Sequence, residues 1–232
     1  MTQPEAYDAS KALADLLGLD VAQTFGVNLI TELSTYCTGI VSKTAENEIA
    51  HVRNLDFHDT DVMKKLVYEQ VLIKDGVVKA RSPSIAGFYG AFTGQVSNGY
   101  SISYNVRERA AGATHDQIMS NLNNNLDPTR INQGYAILNS LLNIDNFADT
   151  VNYFKEVRMT SPGHYIIGGV KEDEGIVITR TEDEVSHLYE LSEENWFVAM
   201  TNVDVWDMQD TRYENAVKFM GQLGQENVHP DG

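Results

Sequence analysis

The chain of 232 residues holds a single cysteine, Cys37. It therefore forms no intrachain disulfide and no cysteine-rich zinc site, and any chemistry at Cys37 is that of a thiol or thiolate. A free cysteine taken alone reads as a small buried hydrophobe. Its position argues for more. Cys37 opens a strand-type run, TGIVSKT, directly after a helical stretch, and the next such run, EIAHVRNLDF, carries Arg53, Asn54 and Asp56. The polar Ala45-Glu46-Asn47 between them reads as a hairpin turn. Folding the second strand back along the first brings Arg53 to the cysteine end of the ladder, and a guanidinium beside a thiol favours the nucleophilic thiolate.

Other chemistry-bearing residues read more plainly. His58, Asp59 and Asp61 imitate a metal site but are read as a solvated loop after Phe57, so no metal is assigned. Lys171 to Gly175, KEDEG, reads as a hairpin turn. The glycines of AGFYGAFTG at 86–94 lack the lysine and helix of a phosphate loop and are read as close packing in a strand-like stretch. His51, His115, His164, His187 and His229 are scattered, with no ligand-pair spacing and none beside Cys37 in sequence.

The elements that must position these residues follow from periodicity. Residues 5–35 read as helical, with Leu13, Leu16, Leu17 and Val21 as one apolar stripe and Phe25, Leu29, Ile30 and Leu33 as a second around Gly26. Strands follow: the hairpin whose first strand begins at Cys37, then LVYEQVLIK and VVKARS around Asp75-Gly76, and GFYGAFTGQ and YSISYNVRE around Asn98-Gly99. Residues 115–156 return to helical spacing with a break at Pro128. The runs HYIIGGV, GIVITRT, SHLYELS and NWFVAMTN are again strands, and a polar helix spans about 210–224. Hairpin signals dominate and no regular βαβ alternation appears. The order predicts an α+β fold, a four-layer αββα sandwich of antiparallel sheets.

The length suits one domain with a substantial core, and 42% apolar against 22% charged residues describes an ordinary globular chain. With 33 acidic against 17 basic residues the net charge is -16, which repels a phosphate backbone and argues against nucleic acid as a partner. No apolar run suits a membrane span, the first residues lack the pattern of a secretory signal, and no Asn-x-Ser/Thr sequon is present.

Several runs together, in one order, resemble a known family. Cys37-Thr38-Gly39-Ile40-Val41, Arg53-Asn54-Leu55-Asp56-Phe57, SIAGFYGAFTG, GGVKEDEGIVITR and Thr201-Asn202-Val203-Asp204-Val205-Trp206, between about Gly26 and Asn215, resemble the acid ceramidase and N-acylethanolamine-hydrolysing acid amidase family. These are N-terminal nucleophile hydrolases, and the spacings from Cys37 to Arg53 and Asp56 are also those of the related choloylglycine hydrolases. The resemblance implies autoproteolysis between Tyr36 and Cys37. Residues 1–36 would become a helical small-subunit segment and 37–232 the nucleophile-hydrolase segment, associated after cleavage as one domain. Cys37 would be the nucleophile and its α-amino group, of pKa about 7.7–8.0 in model peptides, the base. Arg53 would hold the thiolate and the substrate, Asp56 the α-amino group, Asn202 would donate to the oxyanion, Arg212 would position the others, and Asn105 matches an oxyanion asparagine of the choloylglycine type.

The implied substrate is an N-acyl lipid, ceramide or an N-acylethanolamine, cut to a fatty acid and an amine through a thioester without any cofactor. The implied compartment is the lysosome, although the missing leader, sequon and disulfide suit a cytoplasmic protein equally. The N-terminal apolar stripe (Leu13, Leu17, Phe25, Leu29) serves either core packing or contact with a membrane surface or activator protein. Two departures stand out. Val106 occupies the place of a glutamate that the ceramidase pattern ties to self-cleavage, and Glu108, about 6 to 7 Å further along the strand, is a poor substitute. The family also continues for several strands past the position of Arg212, so the chain reads as shortened. These departures keep a catalytically silent lipid-binding homologue open, and the shared spacings keep a choloylglycine- or penicillin-type amidase open.

Overall fold

The computed structural model describes residues 4–27, 36–56, 60–107, 115–206 and 209–229. Leu29, Ile30, Leu33, Phe57, His58, Asp59 and Glu108, and the side chain of Phe25, lie outside the described residues. In chain order the elements are α1 (Pro4–Leu17), α2 (Val21–Val27), β1 (Tyr36–Lys43), β2 (Ile49–Asp56), α3 (Thr60–Leu66), β3 (Val67–Lys74), β4 (Val77–Ile85), β5 (Thr93–Val96), β6 (Tyr100–Val106), α4 (His115–Asn124), α5 (Gln133–Asn143), α6 (Phe147–Glu156), β7 (Gly163–Gly168), β8 (Gly175–Arg180), β9 (Val185–Glu190), β10 (Phe197–Met200) and α7 (Thr211–Leu223).

The strands make two antiparallel sheets, one of order β10-β1-β2 and one a meander from β3 to β9. The β1–β2 hairpin forms as expected, with Asn47 at φ 61 in its turn, a left-handed conformation that asparagine tolerates. The Asp75-Gly76 turn, with φ of 53 and 77, has the mirror-image geometry that matches strand twist. Period-two alternation then sorts the side chains of the larger sheet. Ile102, Tyr104, Tyr165, Ile167, Ile176 and Ile178 face Ile137, Leu138 and Leu141 of α5 and Val151 and Phe154 of α6 in the main core. The intervening Ile166 and Val177 meet Val41, Val198, Met200 and Leu191 in a second core between the sheets. α7 lies against β10. The layers are therefore helix, sheet, sheet, helix, the αββα sandwich that the pattern predicts.

Three local expectations are corrected. Asp61, read as loop, lies in the first turn of α3. The glycine-rich 86–92 stretch is not a strand, since β5 starts only at Thr93. Gly90 adopts φ +156, and a side chain there would stand 2.7 Å from the Phe88 ring and 3.0 Å from the Gly134 backbone, so this loop hugs the start of α5 as close packing requires. In α1, Ala6, Ser10 and Ala14 are the buried face, while Leu16 and Leu17 are 80% and 56% exposed. Small side chains let α2 come close, with Thr24 Oγ1 donating to the Ser10 carbonyl at 2.9 Å. Of the first stripe, Leu16 and Leu17 are thus not core, while Leu13 and Val21 are half-buried.

Candidate active site

Alternation along β1 turns Cys37, Gly39 and Val41 into the space between the sheets, and Cys37 is 1% exposed. Register sets Cys37 opposite Leu55 and Gly39 opposite Arg53. A side chain at Gly39 would come within 3.2 Å of Ile166 and of Ser103 Oγ, so glycine lets the two sheets approach beside the cysteine. Arg53 shares its face of β2 with His51 and Leu55. Its Nη2 donates to Cys37 Sγ at 3.5 Å and to the Tyr104 carbonyl at 2.5 Å, and its Nη1 donates to Thr93 Oγ1 at 2.7 Å. Burial pushes the Arg53 guanidinium down from its ordinary range, and the adjacent Cys37 opposes that shift. The neighbouring His51 accepts or donates at 2.8 Å to Ser101 Oγ and 2.9 Å to Ser103 Oγ; burial, reinforced by Arg53, pushes it down to about 4.

The other wall of the site is the segment after β10. Asn202 is wholly buried. Its Oδ1 accepts from the Cys37 backbone N–H at 2.7 Å and from Arg212 Nη1 at 3.1 Å, and its Nδ2 donates to the Val106 carbonyl at 2.9 Å. Arg212 arrives there because Asp210 caps α7, accepting from the Arg212 N–H at 2.9 Å. The guanidinium sits 5.2 Å from the Tyr36 ring centroid and also reaches the Cys37 carbonyl at 3.4 Å. Arg53, Asn202 and Arg212 therefore converge on Cys37, one on the sulfur and two on its backbone.

Asp56 and Asn105 stand elsewhere than expected. In this uncut chain the Cys37 nitrogen is held by Asn202, while the exposed Asp56 carboxylate, opposite Tyr36 in register, accepts from Asn54 Nδ2 at 3.0 and 3.1 Å. Asn105 spends both amide hydrogens on the carbonyls of Met200 (2.9 Å) and Thr201 (3.1 Å), so it is a strut between the sheets and not a donor presented to an oxyanion. Its Oδ1 is buried without a partner. Sequence reading missed Thr93 and Tyr104, which no local pattern marks, and His51, which the period of two from Arg53 would have marked. A cavity of about 490 Å³ is lined by Leu55, Met63, Ile85 and Phe92 together with the polar Arg53 and Asp56, among others. Among the described residues, no group of His, Cys, Asp and Glu suits a metal ion, and no helix is long and apolar enough to cross a membrane.

No family model matches the chain. Among curated proteins it is 27% identical over 237 residues to the N-acylethanolamine-hydrolyzing acid amidase of Caenorhabditis elegans, covering 96% of this chain and 65% of that protein. It is 26% identical over 236 residues to the acid ceramidase of Mus musculus, covering 94% of this chain and 59% of that protein. The chain thus spans somewhat under two thirds of the length of these relatives. Among solved structures, the Caenorhabditis elegans N-acylethanolamine-hydrolyzing acid amidase ortholog superposes with a TM-score of 0.75 at 29% identity, covering 84% of this chain and 82% of that one. Similarity along nearly the whole sequence, and a shared fold, make this chain similar to N-acylethanolamine-hydrolysing acid amidases and acid ceramidases.

Proposed function

We propose that this chain is a lipid amide hydrolase that activates itself by cutting its backbone between Tyr36 and Cys37. Cys37 Sγ adds to the Tyr36 carbonyl carbon, the C–N bond breaks, and the thiol proton passes to the departing nitrogen, leaving a thioester and a free α-amine. Water then releases residues 1–36 with a terminal carboxylic acid, and the helical segment stays bound to residues 37–232. Asp56, opposite Tyr36 in register, takes the new amine as its partner once Tyr36 has left. In turnover that amine takes the Cys37 proton, the sulfur adds to the carbonyl of an N-acyl amide, and the proton leaves with the amine. Arg53 holds the thiolate, Arg212 braces Asn202, and Asn202 steadies the oxyanion, a contribution of about 3 to 4 kcal/mol where comparable donors have been removed. Water returns the fatty acid.

The observation that carries this reading is the convergence of Arg53, Asn202 and Arg212 on one buried cysteine at a continuous Tyr36–Cys37 peptide. The cavity beside Arg53, with Leu55, Met63 and Phe92, suits an acyl chain. The exposed Leu16, Leu17 and Leu19 suit contact with a lipid surface or an activator protein, and an acid compartment such as the lysosome suits the family. Ceramide and N-acylethanolamines share the reacting amide, and both belong in the test. Palmitate release from each at pH about 4.5 is expected from the wild type and absent from Cys37→Ala; release from neither protein, or equally from both, would contradict the reading. Val106 favours a second reading, a silent homologue, because its apolar side chain packs against the main core where a carboxylate is expected. That reading predicts lipid binding without release.

A further inference from the structure

Three successive residues at the end of β6 reach across to the segment after β10. Asn105 donates to the Met200 and Thr201 carbonyls. The next residue, Val106, offers its carbonyl to Asn202 Nδ2. Arg107 then closes a fork on Asp204, Nε to Oδ1 at 2.8 Å and Nη2 to Oδ2 at 2.7 Å, with Nη1 on Ser186 Oγ of β9 at 2.9 Å. β6 and β10 belong to different sheets, so these rungs join the sandwich where no backbone ladder does. Asn202 lies between the outer two rungs, with its Oδ1 on the Cys37 nitrogen.

We propose that Arg107 and Asp204 form a positioning pair that fixes Asn202 against Cys37. The claim rests on the reading of Asn202 as the oxyanion donor. Both side chains are mostly shielded, at 14% and 18% exposure, so water competes weakly and the two-bond fork imposes direction as well as attraction. Removing one partner strands the other charge in a half-dry site. The segment 201–204 has no strand of its own, only a β-bridge at Val203, and these side-chain rungs add to what holds its path. A shift there of about 1 Å is enough to cost about 100-fold in rate.

The test uses the full chain carrying Arg107→Leu, Asp204→Asn, Arg107→Lys, or the exchanged pair Arg107→Asp with Asp204→Arg. For N-palmitoylethanolamine, kcat is expected to fall about 10- to 100-fold in the first two, with KM within about twofold. Lysine, which keeps the charge and loses the fork, should fall between, and the exchanged pair should recover part of the loss. A second readout needs no catalysis: in a Cys37→Ala background, exchange of the Asn202 side-chain amide protons, assigned by Asn202→Asp, should accelerate about tenfold in Arg107→Leu. Lowered melting points with kcat and amide exchange both unchanged would overturn the proposal, as a purely structural bridge. If the wild type hydrolyses no N-acyl amide, the hydrolase reading fails. The amide exchange then decides alone, acceleration supporting the positioning pair and unchanged protection overturning it.

Discussion

Asn202 and Asn105 are both fully buried asparagines at the Cys37 end of the sandwich, yet their partners assign them different work. Asn202→Ala should lower self-cleavage and turnover of the folded protein by about 10²- to 10³-fold, beyond a stability cost of about 1 to 3 kcal/mol from the buried bonds it removes. Asn105→Ala removes two buried bonds and should cost about 1 to 3 kcal/mol in urea denaturation, with turnover of the remaining folded protein changed far less. The resemblance supplied both residues, but the difference between them was not legible from either. It depends on how close β6 comes to the end of β10, 95 residues away in sequence. A third residue-scale consequence concerns pH. Burial holds His51 and His164 down to about 4 against 6.5 in the unfolded chain. Between those values the unfolded state binds the extra protons, so stability is whole above pH 6.5 and is lost as pH falls toward 4, by about 3 kcal/mol for each histidine. Urea midpoints measured from pH 7 to 4.5 should fall, and His51→Asn should remove about half of that fall.

At the scale of elements, the strands were readable because each carries its own alternation and its own turn. The register that sets Gly39 opposite Arg53 follows from the hairpin alone. The helices were less transparent. α3 is seven residues long, too short for its period to show. α1 misled because a leucine pattern normally marks the buried face, whereas here α2 needs small residues to approach. Ala14→Leu should therefore destabilise the protein by about 1 to 3 kcal/mol through overpacking, while Leu16→Ser should stay within about 0.5 kcal/mol. Thermal denaturation of both variants checks the inverted stripe. In the main core, Gly94 gives Leu141 its space, and Leu141→Ala should cost about 2 to 5 kcal/mol.

For the whole molecule, the sandwich gathers around the Tyr36–Cys37 peptide the groups proposed to cut it. β1 is the inner strand of its sheet, flanked by β10 and β2, its alternation turns Cys37 into the interior, and the Tyr36–Cys37 peptide lies there with Arg53, Asn202 and Arg212. Each of these comes from a different part of the chain, and only the closed sandwich brings them together. The net charge of -16 repels less when carboxylates are protonated, which suits work in an acid compartment. The central claim is that Cys37 cuts its own amide. Intact mass of the purified chain before and after incubation at pH about 4.5 tests it directly, with Cys37→Ala alongside. Fragments 1–36 and 37–232 from the wild type alone are the result the account predicts, and an unsplit wild-type chain would contradict it.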